Sequence, residues 1–530
     1  MSAFFATCAK GLEYLLRDEL VALGASNVRE ALAGVHFEGD LEAAYRACLG
    51  SRLASRILLP LASFAAADDD ALFAGVSAID WREHMAVSST LAVDAVCVNS
   101  HLQHSRFVAL RVKDAIVDQF REREGERPSI DPAQPDLRLN LHLKRDRATL
   151  SVDLAGTPLH RRGWRMLTGQ APLKEDLAAA ILMRAGWPAR YAQGGSLVDP
   201  MCGSATLLIE AALMSAAVAP GLQRDYFGLL GWRGHDAALW QRLRDEARVR
   251  ADAGLRDLRP VFFGSDVDGE ALAAAKRNAQ AAGVAGCLHL TRQDVAHVDA
   301  PAGDAHGLVV CNPPYGERLG DRAALPTLYR SLGQTLATRF AHWHAAVITS
   351  DAELGHALGL HASKHYKLFN GALECVLLLF DLSPQAPRVL KPLSAGGEML
   401  KNRLQKNLRH IRRRAQREGI DCYRVYDRNL PEYAAAVDVY QGHLAAATGN
   451  DKQVWLHVQE YQAPADVPEH IARDRVREMM RVLGELFDIP REHLALKTRQ
   501  RGKGGSRYGR FADRSEWLHV DEDGLGFIVN

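Results

Sequence analysis

Six short apolar runs between residues 172 and 382 constrain the fold more than anything else in the chain: SLVDP, VFFGSD, CLHLTRQD, GLVVCNPP, HAAVITS and ECVLLLFDL. Segments with helical patterning separate them. A strand covered on both faces reads as an unbroken apolar run, and helices between such runs imply a parallel sheet. The expected class is therefore α/β, with a Rossmann-like sheet. In such sheets ligands bind outside the carboxyl ends of the strands. The residues just after each strand should carry the chemistry.

The first strand ends in DPMCGSAT. Asp199 closes it, and Gly203 permits a tight turn into the helix TLLIEAALMSA. Small residues there let a ligand approach the backbone and the helix N-terminus. Asp266 ends the second strand, where it could accept hydrogen bonds from ribose hydroxyls. Asp294 ends the third, placed for an adenine amino group. No GK[ST] P-loop is present for a triphosphate. A small-residue loop followed by acids at successive strand ends fits a ligand that bears a nucleoside without phosphates. Taken singly, each acid could equally cap a turn or a helix.

The fourth strand runs into Asn312-Pro313-Pro314-Tyr315. The exocyclic amino group of a base is a poor nucleophile, because its lone pair is delocalised into the ring. The Asn312 carboxamide oxygen and the Pro313 carbonyl are two acceptors able to hold both of its N–H bonds. That fixes the nitrogen's direction and stabilises positive charge as it develops. The prolines keep the acceptors rigid. Tyr315 offers a flat face for a flipped base.

Outside this region the patterning differs. Residues 4–37 read as strand, helix, strand, and helical signals follow over 41–64 and 106–123. In the latter, Val112, Ile116 and Phe120 share a face. Leu137, Leu139, Leu141 and Leu143 alternate in LRLNLHLKRD, the pattern of a half-buried strand, and RATLSVDLAG is its neighbour. Residues 383–397 are rich in Pro and Gly and read as a linker. A basic helix follows, with Leu400, Leu404, Leu408, Ile411 and Ala415 as its apolar stripe and Arg412, Arg413 and Arg414 among its cations. Strands are expected at DCYRVYD, AAAVDVYQGHL, QVWLHVQEY and GLGFIVN, with a helix near 470–487 and a basic Gly-rich stretch that holds Arg499 and Arg501.

At 530 residues the chain is too long for one core. Its net charge of +1 gives no overall argument for an anionic partner, so any such argument is local. The eight cysteines form no CxxC pair, which argues for reduced thiols and against a zinc site. No metal is expected. No stretch is apolar enough to span a bilayer, and the first residues lack a signal-peptide pattern, so a cytoplasmic chain without a membrane partner is expected.

DPMCGSAT, GSDVD, QDV and NPPYGERLG resemble the S-adenosylmethionine-dependent amino methyltransferases. HRRGWRMLTGQAPLKEDLAAAIL and HLQHSRFVALRVKDAIVDQF narrow the resemblance to the THUMP-containing bacterial family that methylates the N2 amino group of a guanine in 23S ribosomal RNA. That resemblance implies a ferredoxin-like domain over 1–43, a THUMP RNA-binding domain over 44–155 and a class I methyltransferase domain over 156–382. It implies S-adenosylmethionine as cofactor, with Asp199, Pro200, Met201, Cys202 and Gly203 at its methionine end. Asp266 would take the ribose, Asp294 the adenine, and Lys174 and Glu175 the cofactor edge. Glu317 and Arg318 would face RNA. One departure is Ala205, where the family's loop usually carries a second glycine; its methyl group is expected to crowd the cofactor slightly.

The C-terminal part resembles the linker helix (383–420) and the small substrate-binding subdomain (421–530) that open the guanine-N7 methyltransferase half of a fused enzyme. The cofactor loop of that half would follow GLGFIVN, so no N7 activity is expected. The dense positive helix implies RNA contact, since like charges repel unless an anion neutralises them. The expected partner is 23S ribosomal RNA, in an assembly intermediate of the large subunit. Competing readings are an adenine-N6 methyltransferase, a tRNA guanine-N2 methyltransferase and, from another class, a ribosome-assembly factor that acts by RNA binding.

Overall fold

The computed structural model describes residues 2–166, 173–303, 306–315, 324–383, 393–444, 453–461, 467–487, 489, 493–499, 518–522 and 525–529. The chain divides into two compact units, residues 1–385 and 386–530.

The first unit holds two sheets. One has eight strands in the spatial order Ser26–Ala31, Gly34–Gly39, Ser2–Thr7, Arg56–Ala65, Arg147–Asp153, Leu137–Lys144, Thr90–Val98, Ser129–Ile130. The alternation in Leu137–Lys144 has its expected cause: Leu137, Leu139, Leu141 and Leu143 are all buried. Val112, Ile116 and Phe120 of the helix Ser105–Glu124 are buried as well. Two local expectations change. The last strand expected over 4–37 is a hairpin, Ser26–Ala31 against Gly34–Gly39. The helix expected over 41–64 stops at Gly50, and Arg56–Ala65 is a strand. That strand is held on both sides, by Ser2–Thr7 and by Arg147–Asp153. Pairing on both edges outweighs local helical preference. Pro60 would have broken a helix; here it lies at a register shift between Pro60 and Ala62, where a missing N–H is tolerated.

The second sheet has seven strands, numbered here by themselves: β1 (Ser196–Asp199), β2 (Phe262–Asp266), β3 (Leu288–Arg292), β4 (Gly307–Cys311), β5 (His344–Thr349), β6 (Lys364–Asn370) and β7 (Leu373–Asp381). Their order is β3-β2-β1-β4-β5-β7-β6. β1 to β5 are parallel, as their apolar runs predict. β7 is antiparallel to both β5 and β6, so the sheet is mixed rather than purely parallel. β6 had no apolar run to announce it. It is an edge strand whose residues Lys364, His365 and Lys367 are exposed. The strand order reverses between β1 and β4, which places a ligand crevice at their carboxyl ends. One apolar cluster is continuous from Phe4 and Phe37 of the first sheet to Leu197 and Leu308 of the second.

The second unit is a separate α+β fold. Helices Ala395–Glu418 and Glu469–Phe487 bury Leu400, Leu404, Met479 and Leu483 against Val437, Val439, Leu456 and Val458 of its sheet. The first helix begins inside the stretch read as linker, where the Ser394 hydroxyl accepts from the Gly397 N–H. Cys422–Asp427, Ala435–Leu444, Gln453–Tyr461 and Leu525–Val529 lie where strands were expected; Leu494–Arg499 and Leu518–Glu522 are additional.

Candidate active site

The loop after β1 is fastened to β2 through its backbone. The Cys202 N–H donates to Ser265 O at 2.9 Å, and the Ser265 hydroxyl donates to Pro200 O at 3.3 Å. Two loop residues have left-handed backbone: Gly203 with φ +51° and Ala205 with φ +64°. A Cβ at Gly203 would meet nothing within 4 Å, so the space beside the loop is open. Ala205 is fully buried and carries the departure noted in the sequence. Its consequence is conformational, because alanine in this region costs about 1 kcal/mol that glycine would not. The helix Thr206–Ser215 then starts with no side-chain cap, leaving its first-turn N–H groups to an incoming acceptor.

Asp199 is buried, and among the described residues only the Met201 N–H, at 3.3 Å, bonds its carboxylate. Burial, aided by the like charge of Asp266, pushes its pKa up to about 8. Burial likewise raises the Cys202 and Cys311 thiols well above the usual thiol range, so both are neutral. Asp266 Oδ2 accepts from the Gly203 N–H at 2.8 Å, and Oδ1 from the Asp268 N–H at 3.0 Å. It therefore shapes the loop, while each oxygen keeps a lone pair for a ligand. Asp294 is exposed and caps a short turn through the Ala296 N–H at 2.8 Å.

β4 delivers Asn312 at the same edge. Asn312 Oδ1 is buried and, among the described residues, has no hydrogen-bond partner. A buried carbonyl oxygen without a donor costs about 1–3 kcal/mol unless something arrives to bond it. Pro313 is buried behind it and Pro314 is exposed. The Tyr315 hydroxyl accepts from Nδ2 of Asn370, the last residue of β6, at 3.3 Å.

Several residues of the site carried no signal strong enough to single them out. Arg165 Nε donates to Glu175 at 2.6 Å, and its Nη2 donates to Leu173 O at 2.8 Å and Thr206 Oγ1 at 3.1 Å. Nη1 is buried with no partner among the described residues. Glu175 is thus engaged by Arg165, and burial still raises its pKa. Lys174 is exposed at the N-cap of the helix Glu175–Arg184. Asn278, fully buried, donates to Ser204 O at 3.3 Å and accepts from the Met166 N–H at 3.0 Å. Val267, just after Asp266, leaves an apolar side chain 56% exposed beside the crevice.

The sequence-predicted cations of the second unit lie elsewhere. Arg412 and Arg413 are exposed on Ala395–Glu418 with no ion pair among the described residues. Arg414 pairs with Glu418 at 3.0 Å. Arg499 ends the strand Leu494–Arg499. Arg501, Glu317 and Arg318 lie outside the described residues.

Three families match parts of the chain: the RlmL ferredoxin-like domain over residues 3–58, the THUMP domain over 66–153 and the RMKL-like methyltransferase domain over 162–378. The chain is 52% identical over 535 residues to ribosomal RNA large subunit methyltransferase K/L of Syntrophotalea carbinolica, an alignment that covers 99% of this chain and 73% of the relative. A candidate methyltransferase solved in complex with SAH superposes with a TM-score of 0.64 at 30% identity, covering 73% of this chain and 99% of that one. A predicted N6-adenine-specific DNA methylase of Listeria monocytogenes gives a TM-score of 0.63 at 32% identity, over 72% of this chain and 96% of its own.

Proposed function

This chain belongs to the family of ribosomal RNA large subunit methyltransferases K/L, and on that premise we propose that it methylates the N2 amino group of a guanine in 23S ribosomal RNA, with S-adenosylmethionine as donor. The observation that carries this reading is the buried Oδ1 of Asn312 at the end of β4, which has no hydrogen-bond partner among the described residues. It is an acceptor suited to an incoming donor, which is what an exocyclic amino group is.

The crevice fits the cofactor on this chain's own features. The open face at Gly203, the uncapped helix start at Thr206 and the buried Asp199 suit its zwitterionic methionine end. Pro200, Met201 and Cys202 form the loop between them. Asp266 suits the ribose, exposed Val267 a face of the adenine, and Asp294 its amino group. Lys174, and Glu175 through Arg165, border the methionine end. When bound, S-adenosylmethionine supplies an electrophilic methyl group.

The rest is done by the chain. Asn312 Oδ1 and the Pro313 carbonyl accept the two amino hydrogens, which aims the nitrogen and stabilises the charge it gains. Pro313 and Pro314 hold these acceptors in place. Tyr315 carries the flipped base on its ring, with its hydroxyl tied by Asn370 so that the ring does not swing. The THUMP segment and the cations Arg412, Arg413, Arg414, Arg499 and Arg501 hold RNA by its phosphates, in an assembly intermediate where the target is still accessible. As functional segments we propose 1–43, 44–155, 156–382, 383–420 and 421–530, while the matched family segments have their first border between residues 58 and 66. No helix among the described residues is long and apolar enough to cross a membrane, and no cluster of metal ligands occurs among them. That the enzyme is cytoplasmic and works without a metal is part of the same proposal.

The test is transfer of label from radioactive S-adenosylmethionine to undermethylated large-subunit RNA, with the product base identified. Label on guanine N2 is expected, and Asn312→Ala should abolish transfer while RNA binding persists. The same two acceptors could hold an adenine amino group, so label only on adenine N6 would overturn the base assignment. Label on tRNA in preference to ribosomal RNA would move the substrate. Undiminished methylation by Asn312→Ala would overturn the clamp, and RNA binding without any transfer would favour an assembly factor.

A further inference from the structure

β6 runs in the same direction as β5, because β7 is antiparallel to both. Its last residues, Phe369 and Asn370, therefore lie at the carboxyl edge of the sheet, the edge that carries Asn312. Asn370 reaches Tyr315 directly. Phe369 is the next residue back and points to the opposite face of the strand. Its ring is partly exposed and has two ammonium groups within 6 Å of its centroid: Lys10 Nζ at 5.9 Å and Lys367 Nζ at 5.8 Å.

Lys367 alone could be read as the charge that protects a sheet edge. Lys10 cannot, because it comes from the other sheet's side of the unit, just after the strand Ser2–Thr7. It is held there firmly. The Gly11 backbone presses on β6 so closely that a Cβ would come within 2.6 Å of Lys367 O. Beside it, the Arg184 guanidinium is sandwiched between the rings of Tyr14 at 3.7 Å and Tyr366 at 4.2 Å, and it donates to Gly11 O at 3.2 Å. A partly exposed ring with two cations near it, one residue along β6 from the Asn370 that reaches Tyr315, matches what single-stranded nucleic acid requires: a ring for a base and charges for its phosphates. The Lys367–Glu374 ion pair at 2.7 Å joins two well-exposed side chains, a pairing weak enough to yield to a phosphate.

We propose that Lys10, Phe369 and Lys367 form a subsite for the nucleotide next to the methylated one, stacking its base on Phe369 and holding its phosphates between the two lysines. The subsite rests on the RNA methyltransferase reading above. It explains how a flipped base would be kept in register: the neighbour is anchored while the target enters the clamp.

The test measures KM for RNA and for S-adenosylmethionine separately. Phe369→Leu keeps apolar bulk and removes the ring, so it should raise the RNA KM about tenfold, the order of one lost base stack. Its S-adenosylmethionine KM should stay at the wild-type value. Phe369→Trp should restore the RNA KM. Lys10→Ala should lower the salt slope of RNA binding by about 1, and Lys10→Arg should keep it. An unchanged RNA KM in folded Phe369→Leu overturns the proposal. If that variant does not fold, an unchanged salt slope in Lys10→Ala overturns it instead. If the wild type methylates no RNA, the functional reading fails by itself. Binding of a single-stranded RNA oligonucleotide to the same variants then decides the subsite.

Discussion

At the scale of single residues, the site is set by groups the fold leaves unsatisfied. Asp199 is one. Its folded pKa, about 8, lies above the ordinary value of about 4. Between those values the folded chain keeps a proton that the unfolded chain has released, so this group makes stability fall as pH rises through the window. Asp199→Asn should remove that slope: the cofactor-free variant should gain thermal stability over wild type at pH 7.5, with the gain vanishing towards pH 4. By the same reasoning, a cationic cofactor beside Asp199 should expel its proton. Calorimetric titration in buffers of different ionisation enthalpy should show proton release on binding in wild type and less in Asp199→Asn. Arg165 is the second such group. Arg165→Lys keeps the charge but loses the fork that spans Glu175 and Thr206, and should raise the KM for S-adenosylmethionine about tenfold with little change in the KM for RNA. Ala205 is strained rather than unsatisfied, with φ +64°. Ala205→Gly should raise stability slightly, by up to about 1 kcal/mol, in thermal or urea unfolding, since relief of left-handed strain is offset by glycine's greater freedom when unfolded.

At the scale of elements, the helix Ala395–Glu418 separates its faces cleanly. Leu400 and Leu404 are buried, while Arg403, Lys406, Arg409 and Arg413 are exposed, and none of these four has an ion pair among the described residues. Replacing Arg409 and Arg413 together by Ala should weaken RNA binding about equally for all sequences and lower its salt slope by about 2, measured by filter binding across salt concentrations. Elements also show what could be read in advance. The strands β1, β2, β4 and β5 announce themselves as apolar runs because both faces are covered, whereas β3 lies at the sheet edge with His289, Thr291 and Arg292 exposed. The loop and Asn312 follow from their places at the ends of those strands. β6 stayed hidden because an edge strand need not be apolar, and with it went Asn370 and Phe369. Arg56–Ala65 carries the leucines and alanines of a helical pattern, and only its pairing on both sides makes it a strand. Arg165 was in view in HRRGWRM, yet nothing in a linear pattern says that its guanidinium folds back to Thr206.

At the scale of the whole first unit, a buried ion cluster links the helix Thr206–Ser215 to the N-terminal part. Glu210, on the helix Thr206–Ser215, is completely buried between Arg162 at 3.4 Å and Arg52 at 3.7 Å. Arg52 also donates to Val218 O at 2.6 Å. Removing one partner strands the other charges, so Glu210→Ala should cost about 3–5 kcal/mol in urea unfolding. The eight-stranded sheet has a different consequence. The ferredoxin-like and THUMP families meet between residues 58 and 66, yet Arg56–Ala65 is hydrogen-bonded to a strand of each. The boundary between two recognisable modules thus runs along a shared plank. Cutting there would leave one piece without its last board and the other with a raw edge, open to any passing strand. Lineages that shuffle such modules must carry this plank along or grow a new one.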